Sequence, residues 1–251
     1  ASGAHAVILD LEDAVALEHK AAARSALARE WATLPGEQRA CIAIRINTAG
    51  SQSHEDDLAL LRQFASHPPA AVMLAKAESA IAIERVLRSA AAPVLPLIES
   101  AQGLGAVDAI AQSRGVLRLA FGHLDFQLDL GLECGVDERE LDSVRLGFVL
   151  ASRLAGLPSP IDGVTVSLDD SGQLAADAQR SRRFGFGAKL CIHPKQVAVV
   201  NAALGPTPGQ REWAQRVLDA SKANGMGAFR LDGQMVDAPV LQRAQRMLQS
   251  V

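Results

Sequence analysis

Short apolar runs recur along the chain, and each stops on a charged residue or a histidine. They read AVILDLED (6–13), CIAIRIN (41–47), AVMLAKAE (71–78), PVLPLIES (93–100), VLRLAFGHLD (116–125) and AKLCIHP (188–194). A strand buried on both faces shows such an unbroken run, whereas a strand with one wet face alternates. A helical pattern follows nearly every run. Strands alternating with helices imply parallel strands, so their C-terminal ends share one face. Acids and bases from distant parts of the chain then gather there, where α/β barrels keep their active sites.

Local punctuation gives the elements. Asp13 is expected to cap a helix through ALEHKAAARSALAREW that Pro35-Gly36 ends. Further helices are expected near 57–66, 79–91, 137–155 and 171–184, with a glycine-containing helix start in SAQGLGAVDAIAQS. Pro158 and Pro160 frame a shorter strand at about 161–166, and the last strand spans 188–192. Seven strands result, where a closed barrel needs eight. The chain opens ASGAHAVILD, without Met and almost at once in a strand, so a first strand is expected to be missing. The expected architecture is a TIM (β/α)8 barrel, N-terminally incomplete, over residues 1–204. A C-terminal helical lid or extension follows over 205–251, with helices at 208–223 and 238–249. Its glycine-rich loop, NGMGAFRLDGQM, carries no strong strand signal.

Composition narrows the classes. At 251 residues and 49% hydrophobic, the chain can build one large α/β core. A net charge of −3 offers no broad basic surface, so nucleic acid is not expected as a partner. No apolar stretch reaches membrane-spanning length, and the cytoplasm is the expected compartment. Three scattered cysteines argue against a disulfide framework, and Cys41 and Cys191 read as small core residues.

Chemistry concentrates at the strand ends. Glu99 and Asp125 each lie at or just past an apolar run. Adjacent parallel strands run about 4.8 Å apart, so two such carboxylates can share a hard cation such as Mg²⁺; equally, they can cap helices or pair with arginines. Arg45, in RIN, can grip a carboxylate bidentately or form an ion pair with Asp10, Glu12 or Asp13. Glu12 is read as orienting Arg45 or holding a water. Lys76 either balances nearby acids or, less readily, forms a Schiff base. His123 is a strand-end residue, and His193, before a proline, reads as a turn or wall residue. Gly103 and Gly105 give a weak phosphate-loop signal.

In this order the segments LDLEDAV (9–15), RIN (45–47), AKAES (75–79), PLIES (96–100), AFGHLDF (120–126), GAKLCIHPKQV (187–197) and FRLDGQMVDAP (229–239) resemble the citrate lyase β-subunit-like family, within the HpcH/HpaI aldolase and malyl-CoA lyase group. The resemblance covers nearly the whole chain. It implies a TIM barrel that breaks or forms C–C bonds beside a CoA thioester, using Mg²⁺. On that pattern Glu99 and Asp125 are metal ligands, Glu99 also facing the substrate. Arg45 binds the carboxylate of an α-keto acid and Glu12 lies beside the substrate. Asp237, in MVDAP, is a catalytic acid lent across a subunit interface, and the family's habit is a homotrimer. The implied reaction cleaves or forms a citryl-, citramalyl- or malyl-CoA-like thioester. Alternatives are an aldolase on free keto acids without CoA, or a mainly structural subunit of a lyase complex. The family's basic, glycine-containing N-terminal segment for CoA is absent, and Gly122-His123-Leu124 varies around Asp125.

Overall fold

Six of the seven strands come from the apolar runs, because a both-face-buried strand needs apolar side chains at every position. The computed structural model describes residues 2–224 and 227–249. Its elements are β1 (Val7–Asp10), α1 (Lys20–Trp31), α2 (Gly36–Arg39), β2 (Ile42–Ile46), α3 (Gln52–Gln63), β3 (Ala71–Leu74), α4 (Ala80–Ala90) and β4 (Val94–Ile98). Then come α5 (Ala101–Gly105), α6 (Val107–Ala111), β5 (Ala120–Phe121), α7 (His123–Leu130), α8 (Asp142–Leu154), β6 (Ile161–Asp162), α9 (Ser171–Phe184) and β7 (Ala188–Lys189). The chain continues through α10 (Pro194–Leu204), α11 (Pro208–Asn224), β8 (Phe229–Leu231), β9 (Gln234–Val236) and α12 (Ala238–Gln249).

Strands β1 to β7 form one parallel sheet in chain order, the neighbour relation of a (β/α) barrel. The described residues contribute seven such strands rather than eight, and no pairing joins β7 to β1 among them. Two apolar layers flank the sheet. Ile44, Ile46, Val72, Leu74, Ile98 and Phe121 pack outward against the helices with Leu61, Ile83 and Phe148. Ala43, Ala71, Met73, Leu95, Leu97 and Ala120 form the inner layer, joined by Ile8 and Ile161. The side-chain period of two then fixes what lies above that layer. Two residues beyond Ile8, Ala43, Leu97 and Ala120 stand Asp10, Arg45, Glu99 and Gly122. The inner face thus turns from apolar to charged at the C-terminal ends of the strands.

The elements differ locally from expectation. Asp13 caps no helix; Asp10 accepts the Glu12 and Ala14 N–H groups instead, tightening a turn, and α1 starts only at Lys20. The glycine-containing segment after β4 forms two short helices, α5 and α6, meeting at Ala106. The helix expected at 137–155 starts later, at Asp142, after one 3₁₀ turn. Strands β6 and β7 each keep two residues, because the chain turns into polar loops beyond them. The loop after α11 contains the antiparallel hairpin β8–β9, turned by Asp232-Gly233, both with positive φ. Asp-Gly favours such a turn, but three-residue strands give too short a pattern to read. Cys41 and Cys191 are exposed rather than core. Cys41 precedes β2, and Cys191 follows β7 where the sheet has already ended.

Residues of α11, β8, β9 and α12 share their own apolar cluster, centred on Ala214, Val217, Val236 and Ala244. Arg182 of α9 reaches this segment by donating to Gln210 Oε1 at 2.8 Å. Among the described residues no helix is long and apolar enough to cross a membrane.

Candidate active site

Glu99 is the buried member of the acid pair, with 4% of its surface exposed. Its Oε1 accepts the backbone N–H of Lys76 at 2.8 Å. That N–H points inward because Lys76 takes a left-handed backbone, φ 46°, which non-glycine residues adopt sparingly. No lysine or arginine forms an ion pair with Glu99 among the described residues. Burial, reinforced by the charges of Asp125 and Glu12, pushes its pKa up to about 8, against the Lys76 hydrogen bond that lowers it. The carboxyl therefore occupies a site that favours a cation which the chain itself does not supply.

The neighbouring strand leaves room for it. Ile98 pairs with Phe121, so Gly122 stands beside Glu99, and its N–H donates to Ile98 O at 2.9 Å. A Cβ on Gly122 would lie 2.5 Å from Glu99 Oε2 and 2.8 Å from Glu99 Cβ. Glycine is required here by close approach. Three residues on, in the first turn of α7, Asp125 presents a side chain 37% exposed, with Lys76 Nζ 3.9 Å from its Oδ1. One buried and one accessible carboxylate suit Mg²⁺, which takes one or two carboxylates and keeps waters or substrate oxygens as its other ligands. Among the described residues no three His, Cys, Asp or Glu side chains gather as an all-protein cage.

Arg45 lies on the same inner face. Asp10 and Arg45 are register partners across β1 and β2, so their side chains meet. Arg45 donates through Nε to Asp10 Oδ1 at 2.7 Å and through a second nitrogen to Asp10 Oδ2, and its third nitrogen is 3.1 Å from Glu12 Oε2. The ion-pair alternative for Arg45 is therefore realised, with Asp10 and Glu12 together. A guanidinium carries five N–H groups, so two remain for another acceptor. Burial pushes the Asp10 pKa up, but the Arg45 hydrogen bonds outweigh it and hold the group below its ordinary value. Glu12 moves the other way: burial, with help from Asp13, raises its pKa despite Arg45.

The remaining strand-end residues separate by role. Lys76 lies beside Asp125, as a charge-balancing lysine would. His193 caps α10 by accepting the Lys195 N–H, the expected turn role. Gly103 packs against the chain, since a Cβ there would meet Ala77 O at 2.8 Å, which explains the glycine without a phosphate. His123 turns away from the acids to Glu138, 3.3 Å from Nε2. Glu138 also binds Arg180 at 2.9 Å and Arg145; burial raises its pKa, but His123 and Arg145 win and bring it down to about 2. Asp162, at the end of β6, faces outward into this network, toward Arg145 and Ser181. Sequence reasoning missed that network; the only signal was the recurrence of arginines and acids within otherwise apolar helix faces.

Asp237 lies away from these residues. Its side chain accepts the Val240 N–H at 3.3 Å and its carbonyl accepts Leu241 N–H at 3.0 Å, so it caps α12. No hydrogen bond or ion pair joins it to Glu12, Arg45, Glu99 or Asp125 among the described residues.

The model of the HpcH/HpaI aldolase/citrate lyase family matches residues 1–194. The chain belongs to this family. Its members among the relatives here are carbon–carbon lyases by name. A citrate lyase subunit beta-like protein of Deinococcus radiodurans is 35% identical over 98% of this chain and 89% of its own length. The mitochondrial citramalyl-CoA lyase of Rattus norvegicus is 30% identical over 96% of this chain and 77% of its own. The crystal structure of CitE from Mycobacterium tuberculosis, in complex with magnesium, acetoacetate and coenzyme A, matches with a TM-score of 0.84 and 35% identity. It covers 98% of this chain and 89% of that one.

Proposed function

We propose that this chain is a Mg²⁺-dependent carbon–carbon lyase that cleaves, or in reverse forms, a 3-hydroxyacyl-CoA thioester of the citryl-, citramalyl- or malyl-CoA type. The observation that carries the reading is Glu99: a buried carboxylate beside Asp125, raised in pKa and without an ion-pair partner of its own. The lyases and the magnesium and coenzyme A complex among the relatives support it.

Glu99 and Asp125 would hold the metal, Glu99 also facing the substrate. When bound, Mg²⁺ supplies a Lewis acid that makes a coordinated hydroxyl more acidic and offsets developing negative charge. The chain's own residues do the rest. Lys76 N–H fixes one oxygen of Glu99. Asp10 and Glu12 lock the Arg45 guanidinium, and its two unused N–H groups bind the carboxylate of the α-keto acid half, keeping the reacting atoms aligned. In cleavage the hydroxyl proton passes to a carboxylate, for which Glu12, made more basic by burial, is the nearest choice. The C–C bond then breaks to a ketone and a thioester enolate, and an acid returns a proton to the enolate carbon.

We assign that acid to Asp237 of a neighbouring protomer. Within its own chain Asp237 caps α12 in a segment with a separate apolar cluster, which supports reading 205–251 as a lid on 1–204 and the active unit as a homo-oligomer, a trimer by the family's habit. The test is a panel of 3-hydroxyacyl-CoA thioesters and free 2-keto-3-hydroxy acids, assayed with wild type and with Asp125→Ala. Thioester cleavage by wild type, lost in the folded variant, supports the reading. Cleavage of only the free keto acids would overturn the CoA assignment, and full turnover by Asp125→Ala would overturn the ligand pair.

A further inference from the structure

A cleft of about 500 Å³ opens between the last turn of α9 and one face of α12, lined by Arg182, Pro239, Gln242, Arg243, Arg246 and Met247. Three of these six residues are arginines and none is acidic. Arg182 is held by the neutral side-chain amide of Gln210 at 2.8 Å. Arg243 stacks over the Trp213 ring, its guanidinium carbon 5.4 Å from the ring centroid. None of the three forms an ion pair among the described residues. Elsewhere the chain pairs its cations freely: Arg24, Arg45, Arg85, Arg145, Arg180 and Arg216 each have a carboxylate. Against a net charge of −3, three uncompensated guanidiniums on one concave wall are a local excess of positive potential.

The position separates this cleft from the acid pair. Helix α9 starts on the side of the β6 C-terminal end and returns the chain to the start of β7. At 1.5 Å rise per residue, Arg182 lies roughly 16 Å along α9 from Ser171, away from the barrel mouth. The cleft thus lies toward the opposite end of the barrel from Glu99 in the same chain.

We propose that this cleft is a second binding site, for a small anion carrying two or more linked phosphates. Guanidinium forks match phosphate oxygens bidentately, which lysines would not do. Aliphatic walls from Pro239 and Met247 and a volume within the usual range for small-molecule sites fit a phosphate chain with part of its attached group. The chemistry is shared by inorganic polyphosphate, nucleoside di- and triphosphates and the 3′-phospho-ADP end of coenzyme A.

The test is calorimetric titration of the full chain, free of Mg²⁺ and at constant ionic strength. Separate arms use inorganic tripolyphosphate, ADP, ATP, coenzyme A and sulfate. Tripolyphosphate is expected to bind once per chain, with a change in Trp213 emission. Arg182→Gln and Arg246→Gln should each weaken it about tenfold, the loss of one charge-assisted contact, with thermal melting of the free protein unchanged. Arg243→Lys tests the fork, since it keeps the charge but should also weaken binding. Asp125→Ala should bind as wild type does, which separates this site from the proposed catalytic one. Tighter binding of a nucleotide or coenzyme A, also lost in Arg182→Gln, would identify the natural source. The proposal is overturned if tripolyphosphate does not bind, if it binds no better than sulfate, if Arg182→Gln/Arg246→Gln binds it like wild type, or if a poly-glutamate peptide binds instead.

Discussion

Replacing Glu99 with glutamine should make the metal-free protein more stable, although it removes the residue on which the proposed chemistry rests. The ionised carboxylate is buried with no ion-pair partner, and its pKa rises from 4.5 to about 8. Because the folded state holds the proton more tightly than the unfolded one, wild-type stability falls as pH climbs through the window from 4.5 to about 8. At about 1.4 kcal/mol per tenfold change in proton affinity, ionised Glu99 destabilises the fold at pH 9 by roughly 3–5 kcal/mol. Glutamine has nearly the same shape, and its carbonyl oxygen can still accept the Lys76 N–H. In EDTA, urea unfolding should therefore show Glu99→Gln equal to wild type at pH 4 and more stable by roughly 3–5 kcal/mol at pH 9. Millimolar Mg²⁺ should then stabilise wild type and leave the variant unmoved. Equal stability at pH 9, or a variant less stable at every pH, would refute the claim that Glu99 is an uncompensated buried charge.

Other outcomes follow from the same geometry. Since the metal competes with the Glu99 proton, apparent Mg²⁺ affinity should rise about tenfold from pH 6 to pH 7 and level off above pH 8, by calorimetry; a flat profile would contradict the raised pKa. Gly122→Ala places a methyl 2.5 Å from Glu99 Oε2 and should cost about 1–3 kcal/mol of stability and most of the Mg²⁺ affinity, read by unfolding and titration. Arg45→Lys keeps the charge but not the fork, so KM for the keto acid should rise at least tenfold with the fold intact. Mixing Arg45→Ala with Asp237→Ala chains should restore about a quarter of wild-type activity once subunits have exchanged randomly, because one site in four then combines both intact residues. No recovery would argue against a shared site.

The barrel-like order of strands was legible because a doubly buried strand leaves a continuous apolar run, and the runs ending at Asp10, Arg45 and Glu99 all form strands as read. The period of two carried those side chains to one inner face, which is why the acid pair and Arg45 could be found without coordinates. What failed to show was local or long-range. Asp13 looked like a helix cap, but Asp10 supplies the turn's acceptor, and only three-dimensional register reveals that Asp10 also meets Arg45. The left-handed backbone at Lys76 has no sequence signature, since lysine gives no hint of positive φ. Cys41 and Cys191 sit in apolar-looking segments just where strands have not begun or have ended. The short hairpin around Asp232-Gly233 has too few residues for its alternation to register. The arginine cleft depends on α9 and α12 meeting, roughly sixty positions apart, which no local pattern encodes.

The most direct test of a metal site at Glu99 and Asp125 is the rate of 3-hydroxyacyl-CoA cleavage by purified full-length protein as Mg²⁺ is removed and returned. The account predicts that turnover disappears in EDTA, returns on adding Mg²⁺ in excess of the chelator, and never appears in Glu99→Ala or Asp125→Ala. Undiminished cleavage after complete metal removal would contradict it.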